Sequence, residues 1–508
     1  MSNLRTKNAF RNMRWGLLKI IVIQLLPFVI RTVMINTLGV EYLGLNSIFT
    51  SIISMLHLGE LGFGSAFLYA LYKPIAEENH EEVCRLLSFY RKIYRIIGTV
   101  IFLIGLTLVP FLHIIISKDC PPDVNLYVLY LIILGDTAAS YLFAAYKQSL
   151  LLAHQRADIE SKISILLNAF LYTLQILLLV VFKNYYIYIV TKPLFTLLNN
   201  IIIATVTKRL YPQYVCRGDI SKETKKEMFS KVTALAGHKI GTTVISSSGS
   251  MVISAYLGLT VAAIHSNYYT IMYAVIKVMS MLISSTIAGV GNSLITRTKE
   301  KNFELFSVIN FGIVALVTIS SACFLNLYQP FMTWWMGEEM LMPWNSVILM
   351  VVYYYTWQVR IGVTLFKDAA GLWQADRWKP YVTAVVSLVL NIALVSRIGL
   401  DGVFISTIVC MALINAPWET YALFKNVFRM KTGKFYLKKV YEYLVAIAVC
   451  VVSYWACGIV TVENLLLEIA LKACVCAVSA VTVFVALTFW TQEFKGCVKM
   501  AKDILHIK

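Results

Sequence analysis

Five basic residues, Arg31, Lys192, Lys239, Lys277 and Arg360, fall inside stretches of sequence that are otherwise apolar. Guanidinium and ammonium groups are the side chains that hold phosphate, Arg through a planar fork and Lys as a point charge. At the centre of a membrane helix each costs about 2.5–3.5 kcal/mol, so five facing lipid would cost on the order of 12–18 kcal/mol. They must therefore face a wet cavity, pair internally or snorkel to an interface. The clear carboxylates at similar depth are Glu60 and Asp136, too few to neutralise five cations. A water-filled cavity of net positive charge is expected, and its natural ligand is an anion.

Each candidate also has a plainer reading. Arg31 lies six residues before the outer end of its apolar stretch, within reach of the interface by snorkelling, whereas Lys277 sits too deep for that. Arg360 and Lys239 lie closer to the inner side, where they could be interfacial, and Lys192 precedes Pro193, where a broken helix could let it reach the outer interface. His57 and Glu60 are three apart and share a helix face, which suits a proton or cation site or a hydrogen-bonded helix contact. Asp136, in LGDTAAS, could bind a cation or a lysine. These three are the candidate ion-coupling groups.

Other motifs carry less chemistry. LGELGFG (58–64) lacks the G-x-G-x-x-G spacing and lies within a span rather than after a strand, so it reads as close helix packing. No G-x-x-x-x-G-K-[ST] occurs. The ten cysteines are scattered, mostly in apolar runs, without zinc-type C-x-x-C pairs, and read as packing residues. The cluster FMTWWMG (331–337) reads as an interfacial anchor. No catalytic residue, metal site or cofactor is expected.

The elements that must position these residues follow from composition. Of 508 residues 59% are apolar and 14% charged, against roughly 45–50% and 25% in soluble domains. The charge is too small to clothe soluble surfaces, and the apolar runs repeatedly reach the ~20 residues that cross a bilayer as a helix. The basic start followed by an apolar run from Trp15 reads as a retained first helix rather than a signal peptide. Spans are predicted near 15–37, 46–72, 93–117, 124–147, 162–183 and 185–207, then near 232–257, 261–292, 304–328, 344–366, 380–398, 402–424, 440–461 and 466–490. The stretch 261–292 is long enough to tilt or to project from the membrane.

Charge tests the count. With both ends inside, inner segments hold about 36 of the 45 Lys and Arg and outer loops about four, as the positive-inside rule demands. The formal charge of +18 is thereby assigned to inner loops rather than to nucleic-acid binding. The longest inner connection, 208–231, contains Ser221 as a helix cap with Glu223 in the first turn, which suits a short surface helix or a basic loop. On either side of it LGVEYLGLNSIF (38–49) and LGLTVAAIHSNY (257–268) place Leu-Gly and Ser in register, as parallel repeats would.

The stretch RTVMINTLGVEYLGLNSIFTSIISMLHLGELGFGSAFLYALYKPIAEEN (31–79) resembles the N-terminal signature of Wzx-type polysaccharide flippases, of the form LG-x-x-x-(Y/F)-G-x(n)-dLGxG. These belong to the multidrug/oligosaccharidyl-lipid/polysaccharide exporter superfamily. Glu60 replaces the usual Asp, keeping the charge, and Leu43 precedes Gly44. The resemblance implies an all-α integral membrane protein of about fourteen transmembrane helices, with two pseudo-symmetric six-helix lobes plus two C-terminal helices and both termini cytoplasmic. The corresponding division is 1–207, a cytoplasmic linker 208–231, 232–424, and a C-terminal part 425–508.

The resemblance further implies a flippase of the bacterial cytoplasmic membrane. It would carry undecaprenyl-diphosphate-linked oligosaccharide to the outer leaflet by alternating access, for surface polysaccharide assembly. Arg31 matches the kind of arginine such flippases place in the cavity; Lys192, Lys239, Lys277 and Arg360 join it on depth alone. Expected partners are the polyprenyl-diphosphate-linked oligosaccharide, membrane lipid, H+ or Na+ as coupling ion, and polysaccharide polymerase and glycosyltransferases, with no nucleic acid. A drug or cation exporter of the same superfamily is the alternative, disfavoured by the basic cavity. A membrane polymerase or glycosyltransferase is a further one, disfavoured because the longest outer loop has only about 15–18 residues.

Overall fold

The computed structural model describes residues 2–57, 63–116, 120–142, 145–284 and 286–505, with side chains at all but scattered positions that include 2–10 and 233–242. Among the described residues all regular structure is helical. The helices are α1 (Ser2–Thr37), α2 (Val40–Leu56), α3 (Phe63–Ala76), α4 (His80–Leu108), α5 (Leu126–Leu142), α6 (Ala157–Phe182) and α7 (Tyr185–Leu210). There follow α8 (Lys222–Leu257), α9 (Leu259–Ser284), α10 (Ile287–Thr296), α11 (Lys299–Met336), α12 (Trp344–Gln358) and α13 (Ile361–Ala369). The last are α14 (Lys379–Ile398), α15 (Leu400–Cys410), α16 (Ala416–Leu423), α17 (Gly433–Gly458), α18 (Leu465–Thr488) and α19 (Gln492–Leu505).

Among the described residues nine helical stretches are long and apolar enough to cross a membrane, and α2 and α5 are shorter apolar helices. The surface confirms what solvent the chain is built for. Leu166, Leu413, Leu437 and Trp455 are each at least 70% exposed, while Ser254, Asn267, Thr318, Ser387 and Ser406 are fully buried. Small and polar residues inside with large apolar ones outside is the arrangement that lipid favours, because interhelical hydrogen bonds and close packing, not apolar burial, hold such helices together. This is a multi-pass membrane protein.

The termini of these helices follow local rules. Asn79, Asn184, Ser221 and Asn464 each cap a helix by accepting a hydrogen bond from a backbone N–H in its first turn. Ser221 does so as the sequence suggests, but the helix it starts is not a separate surface element: it runs unbroken from Lys222 into the apolar stretch and ends at Leu257. Gly39 and Gly258 adopt nearly the same left-handed backbone, φ 123° and 96° with ψ 167° and 173°. Both hold the chain in a two-helix joint at the paired Leu-Gly motifs.

Three predicted single spans are interrupted. The stretch expected as one long helix over 261–292 is α9 followed by α10. The stretch 344–366 is divided at Val359–Arg360 into α12 and α13. Between α15 and α16, and again after α16, wide π turns occupy Met411–Asn415 and Phe424–Phe428, a geometry frequent at functional sites.

The chain parts into two compact units, Met1–Ala263 and Ile264–Lys508. In the first, α1 packs on α6, α5 lies between α4 and α7, and α2 packs on α8. In the second, α11 packs against α12, α17 and α18, while α15 packs against α12 and α14. A knot of rings, among them Phe306, Phe366, Phe424, Phe428 and Phe435, fills one end of its core, with centroids 5.0–6.3 Å apart.

Candidate functional site

In the first unit four helices bring polar groups together. Arg31 comes from α1, Asn46 from α2, Asp136 from α5 and Lys192 from α7. The Lys192 ammonium donates to Asn46 Oδ1 at 2.9 Å and lies 5.5 Å from the centre of the Tyr188 ring. Despite Pro193, α7 is continuous, and Lys192 turns inward to Asn46 rather than along a break to the interface. It stands within electrostatic reach of both Asp136 and Arg31.

Around this pair the remaining groups are tyrosines and hydroxyls. Arg31 is half-buried, within electrostatic reach of Tyr188 and Tyr172. Asp136 interacts with the Thr196 hydroxyl and lies within reach of Lys192 and His57. Its Oδ1 atom is buried with no hydrogen-bond partner among the described residues. His57 is held to α5 through a 2.6 Å contact between Nδ1 and the Tyr141 hydroxyl. Thus Arg31, Lys192, Asp136 and His57 belong to one cluster, whereas Glu60 lies outside the described residues. Among the described residues the cluster gathers two cations and one carboxylate, and phenol hydroxyls beside it can donate to the oxygens of an anion.

In the second unit the sequence candidates do not converge. Lys277, on α9, is exposed, with its ammonium 5.3 Å from the centre of the Tyr273 ring. Arg360, at the α12–α13 break, forms a forked ion pair with Glu419 on α16, with N–O distances of 2.8–3.1 Å. Lys239 falls on α8 of the first unit, and its side chain lies outside the described residues.

Arg360 is one member of a larger buried network. Lys379, at the start of α14, bonds both Glu419 at 2.5 Å and Asp376 at 2.9 Å. Asp376 also takes Lys367 at 2.7 Å. Lys367, Asp376 and Glu419 are each 2% exposed or less. Sequence reasoning missed Lys367, Asp376, Lys379 and Glu419. The lysines and Asp376 stand at the ends of apolar runs and read as loop charges. Glu419 lies inside the predicted span 402–424, and its position there was the available signal.

A buried network of this kind is stable only while it is complete, since each ion loses its hydration and depends on its partners. It ties the α12–α13 joint, the start of α14 and α16 to one another. It also means that the positive charge of Arg360 is already answered from within the unit.

Comparison with known proteins gives the fold a context. A family described as polysaccharide biosynthesis protein matches residues 9–290. A search of curated proteins finds no match. Among solved structures the chain is similar to the lipid II flippase MurJ in an inward closed conformation, at 13% identity and a TM-score of 0.65, over 94% of this chain and 98% of that one. It is also similar to an inward-facing multidrug resistance MATE family transporter of the MOP superfamily, at 14% identity and a TM-score of 0.56, over 78% and 93% of the two chains. A third likeness is to a MOP superfamily transporter from Pyrococcus furiosus, described as having a binding pocket of reverse polarity, at 13% identity and a TM-score of 0.57, over 84% and 97%. At such identities the shared property is the fold, that of a MOP-type transporter.

Proposed function

We propose that this chain, which belongs to the polysaccharide biosynthesis protein family of the multidrug/oligosaccharidyl-lipid/polysaccharide exporter superfamily, is a Wzx-type flippase. Its substrate is a polyprenyl-diphosphate-linked oligosaccharide, taken from the cytoplasmic leaflet of a bacterial plasma membrane and released at the outer one. The observation that carries this reading is the cluster in which Lys192, bonded to Asn46, lies within electrostatic reach of both Arg31 and Asp136. Such a site retains an attraction for a diphosphate, and tyrosines line it as donors.

The mechanism is alternating access by two lobes, with fourteen crossings and both termini inside. The diphosphate and first sugars enter the polar site while the prenyl chain stays in the bilayer. Asp136 is the internal counter-ion that holds the lysine between cycles, and with His57 and Glu60 it is a candidate for coupling to H+ or Na+. The membrane potential supplies about 2.3 kcal/mol per charge per 100 mV to bias the cycle. Lys277 and Lys239 are proposed to extend the cationic path, and Arg360 to shape it through its pair with Glu419. A polymerase and glycosyltransferases would act before and after this step.

Reconstitution tests the reading. In proteoliposomes containing lipid-linked oligosaccharide, Arg31→Ala and Lys192→Ala should each lower the flipping rate about tenfold or more, the scale of one charge-assisted contact. Lys277→Ala should lower it less. Full flipping by all three variants would sink the cationic-site reading. Export of ethidium-like cations, undiminished in Arg31→Ala, would instead favour a drug exporter.

A further inference from the structure

At one end of the second unit a recess of about 920 Å³ opens between the end of α10, the start of α11 and the end of α13. That volume lies within the range of small-molecule sites. Its lining combines two kinds of surface. Leu294, Ala370 and Val427 are apolar, and Arg297, Lys299 and Asn426 are polar.

The turn that carries the two cations is tied down. Asn302 is 4% exposed; it accepts from the Ser293 hydroxyl at 2.8 Å and donates to the Arg297 carbonyl at 3.2 Å. The α10–α11 joint is thereby pinned from below, and Arg297 and Lys299 stand exposed on either side of Thr298. The carboxylate that lines the recess, Glu300, is engaged with its own backbone N–H and the Thr298 hydroxyl.

Neither Arg297 nor Lys299 forms a salt bridge among the described residues, and Lys299 lies within electrostatic reach of Glu300. The contrast with Arg360, Lys367 and Lys379 is sharp, since each of those is matched by a buried carboxylate. Beside the recess Ile295 is 86% exposed. A bare isoleucine next to two exposed cations suits the boundary between hydrocarbon and headgroups, where an apolar chain and a phosphate lie side by side.

We infer that this recess is a binding site for the phosphate headgroup of a membrane lipid. Arg297 and Lys299 hold the phosphate oxygens, Asn426 lies at the headgroup's edge, and the lipid chain runs along Ile295. The site is separate from the Arg31–Lys192 cluster, which lies in the first unit. Its place on the cytoplasmic side rests on the topology proposed above; its chemistry does not. Two sources share that chemistry, ordinary anionic phospholipid and a polyprenyl diphosphate.

Native mass spectrometry of the full chain, purified in detergent, separates the sources. Phosphatidylglycerol and farnesyl diphosphate are the probes, and phosphatidylcholine is the weakly retained control. The double variant R297Q/K299Q should lower the affinity for one or both probes about tenfold or more, with phosphatidylcholine retention unchanged. Ala370→Trp, which fills the recess without altering charge, should act in the same direction and decides the matter if the double variant does not fold. Loss of both probes assigns the site to any phosphate headgroup, loss of farnesyl diphosphate alone to a diphosphate carrier, and loss of phosphatidylglycerol alone to bulk lipid. Unchanged affinity for both probes, or an equal fall for phosphatidylcholine, overturns the inference. Because no flipping is measured, this result stands apart from the success or failure of the proposed transport.

Discussion

Glu419 shows how much one buried charge can organise. It receives the fork of Arg360 and the ammonium of Lys379 across 59 and 40 residues of chain. Replacing it by Gln leaves two buried cations short of a partner, and breaking a buried pair in this way costs about 3–5 kcal/mol. Glu419→Gln should therefore lower the thermal stability of the detergent-solubilised protein markedly. Adding Arg360→Met should recover part of the loss, because the double change removes the stranded charge as well as its partner. A double variant no more stable than Glu419→Gln would mean that Arg360 does not depend on Glu419. From the sequence, depth alone identified Arg360 as a cation that needs an answer, and five cations against two carboxylates suggested a wet cavity. The count was incomplete because Glu419 lies near the end of its predicted span, 402–424. Long-range pairing is a property of packing that no local pattern carries. Arg31 and Lys192 were legible for the opposite reason: their types and depth already made them improbable in lipid.

Gly44 carries the same lesson at the scale of elements. It belongs to the motif that linked this chain to its family, yet its physical role lies in the approach of α2 to the joint between α8 and α9. A Cβ on Gly44 would stand 2.2 Å from the carbonyl oxygen of Leu259, a backbone atom that cannot swing away. Gly44→Ala must therefore push the two segments apart, at about 1–3 kcal/mol for overpacking. It should reduce both the folded yield in membranes and the melting temperature, whereas Gly16→Ala, with open space around its Cβ position, should change neither. Equal behaviour of the two variants would show that the close approach is not structurally required. Helices of the right type were legible along most of the chain because apolar length and caps such as Ser221 are local signals. Breaks were not. The α12–α13 joint contains no proline, and nothing before Arg360 in the chain announces it; what stands at the joint is the pair of Arg360 with Glu419, a tertiary contact.

The whole molecule departs from the soluble pattern in what it exposes, with leucines and tryptophans outside and polar Ser254, Asn267 and Thr318 fully buried inside. That departure and the excess of Lys and Arg in alternate loops are separate signals. The first says that lipid surrounds the chain, and the second says which way round it sits. Two cysteines turn the second into a measurement. Cys120 is exposed in a loop assigned to the outside, and Cys216 is partly exposed in the polar connection assigned to the inside. In single-cysteine variants, a membrane-impermeant maleimide added to intact cells should label Cys120 and leave Cys216 untouched until the membrane is permeabilised. The 208–231 connection is where a missed or extra crossing upstream would reveal itself, because every later loop changes side with it. Labelling of Cys216 in intact cells, with Cys120 protected, would invert the topology. The exposed Arg297 and Lys299, after an even number of further crossings, would then face the outer leaflet, and the positive-inside bias would have to be explained by something other than orientation.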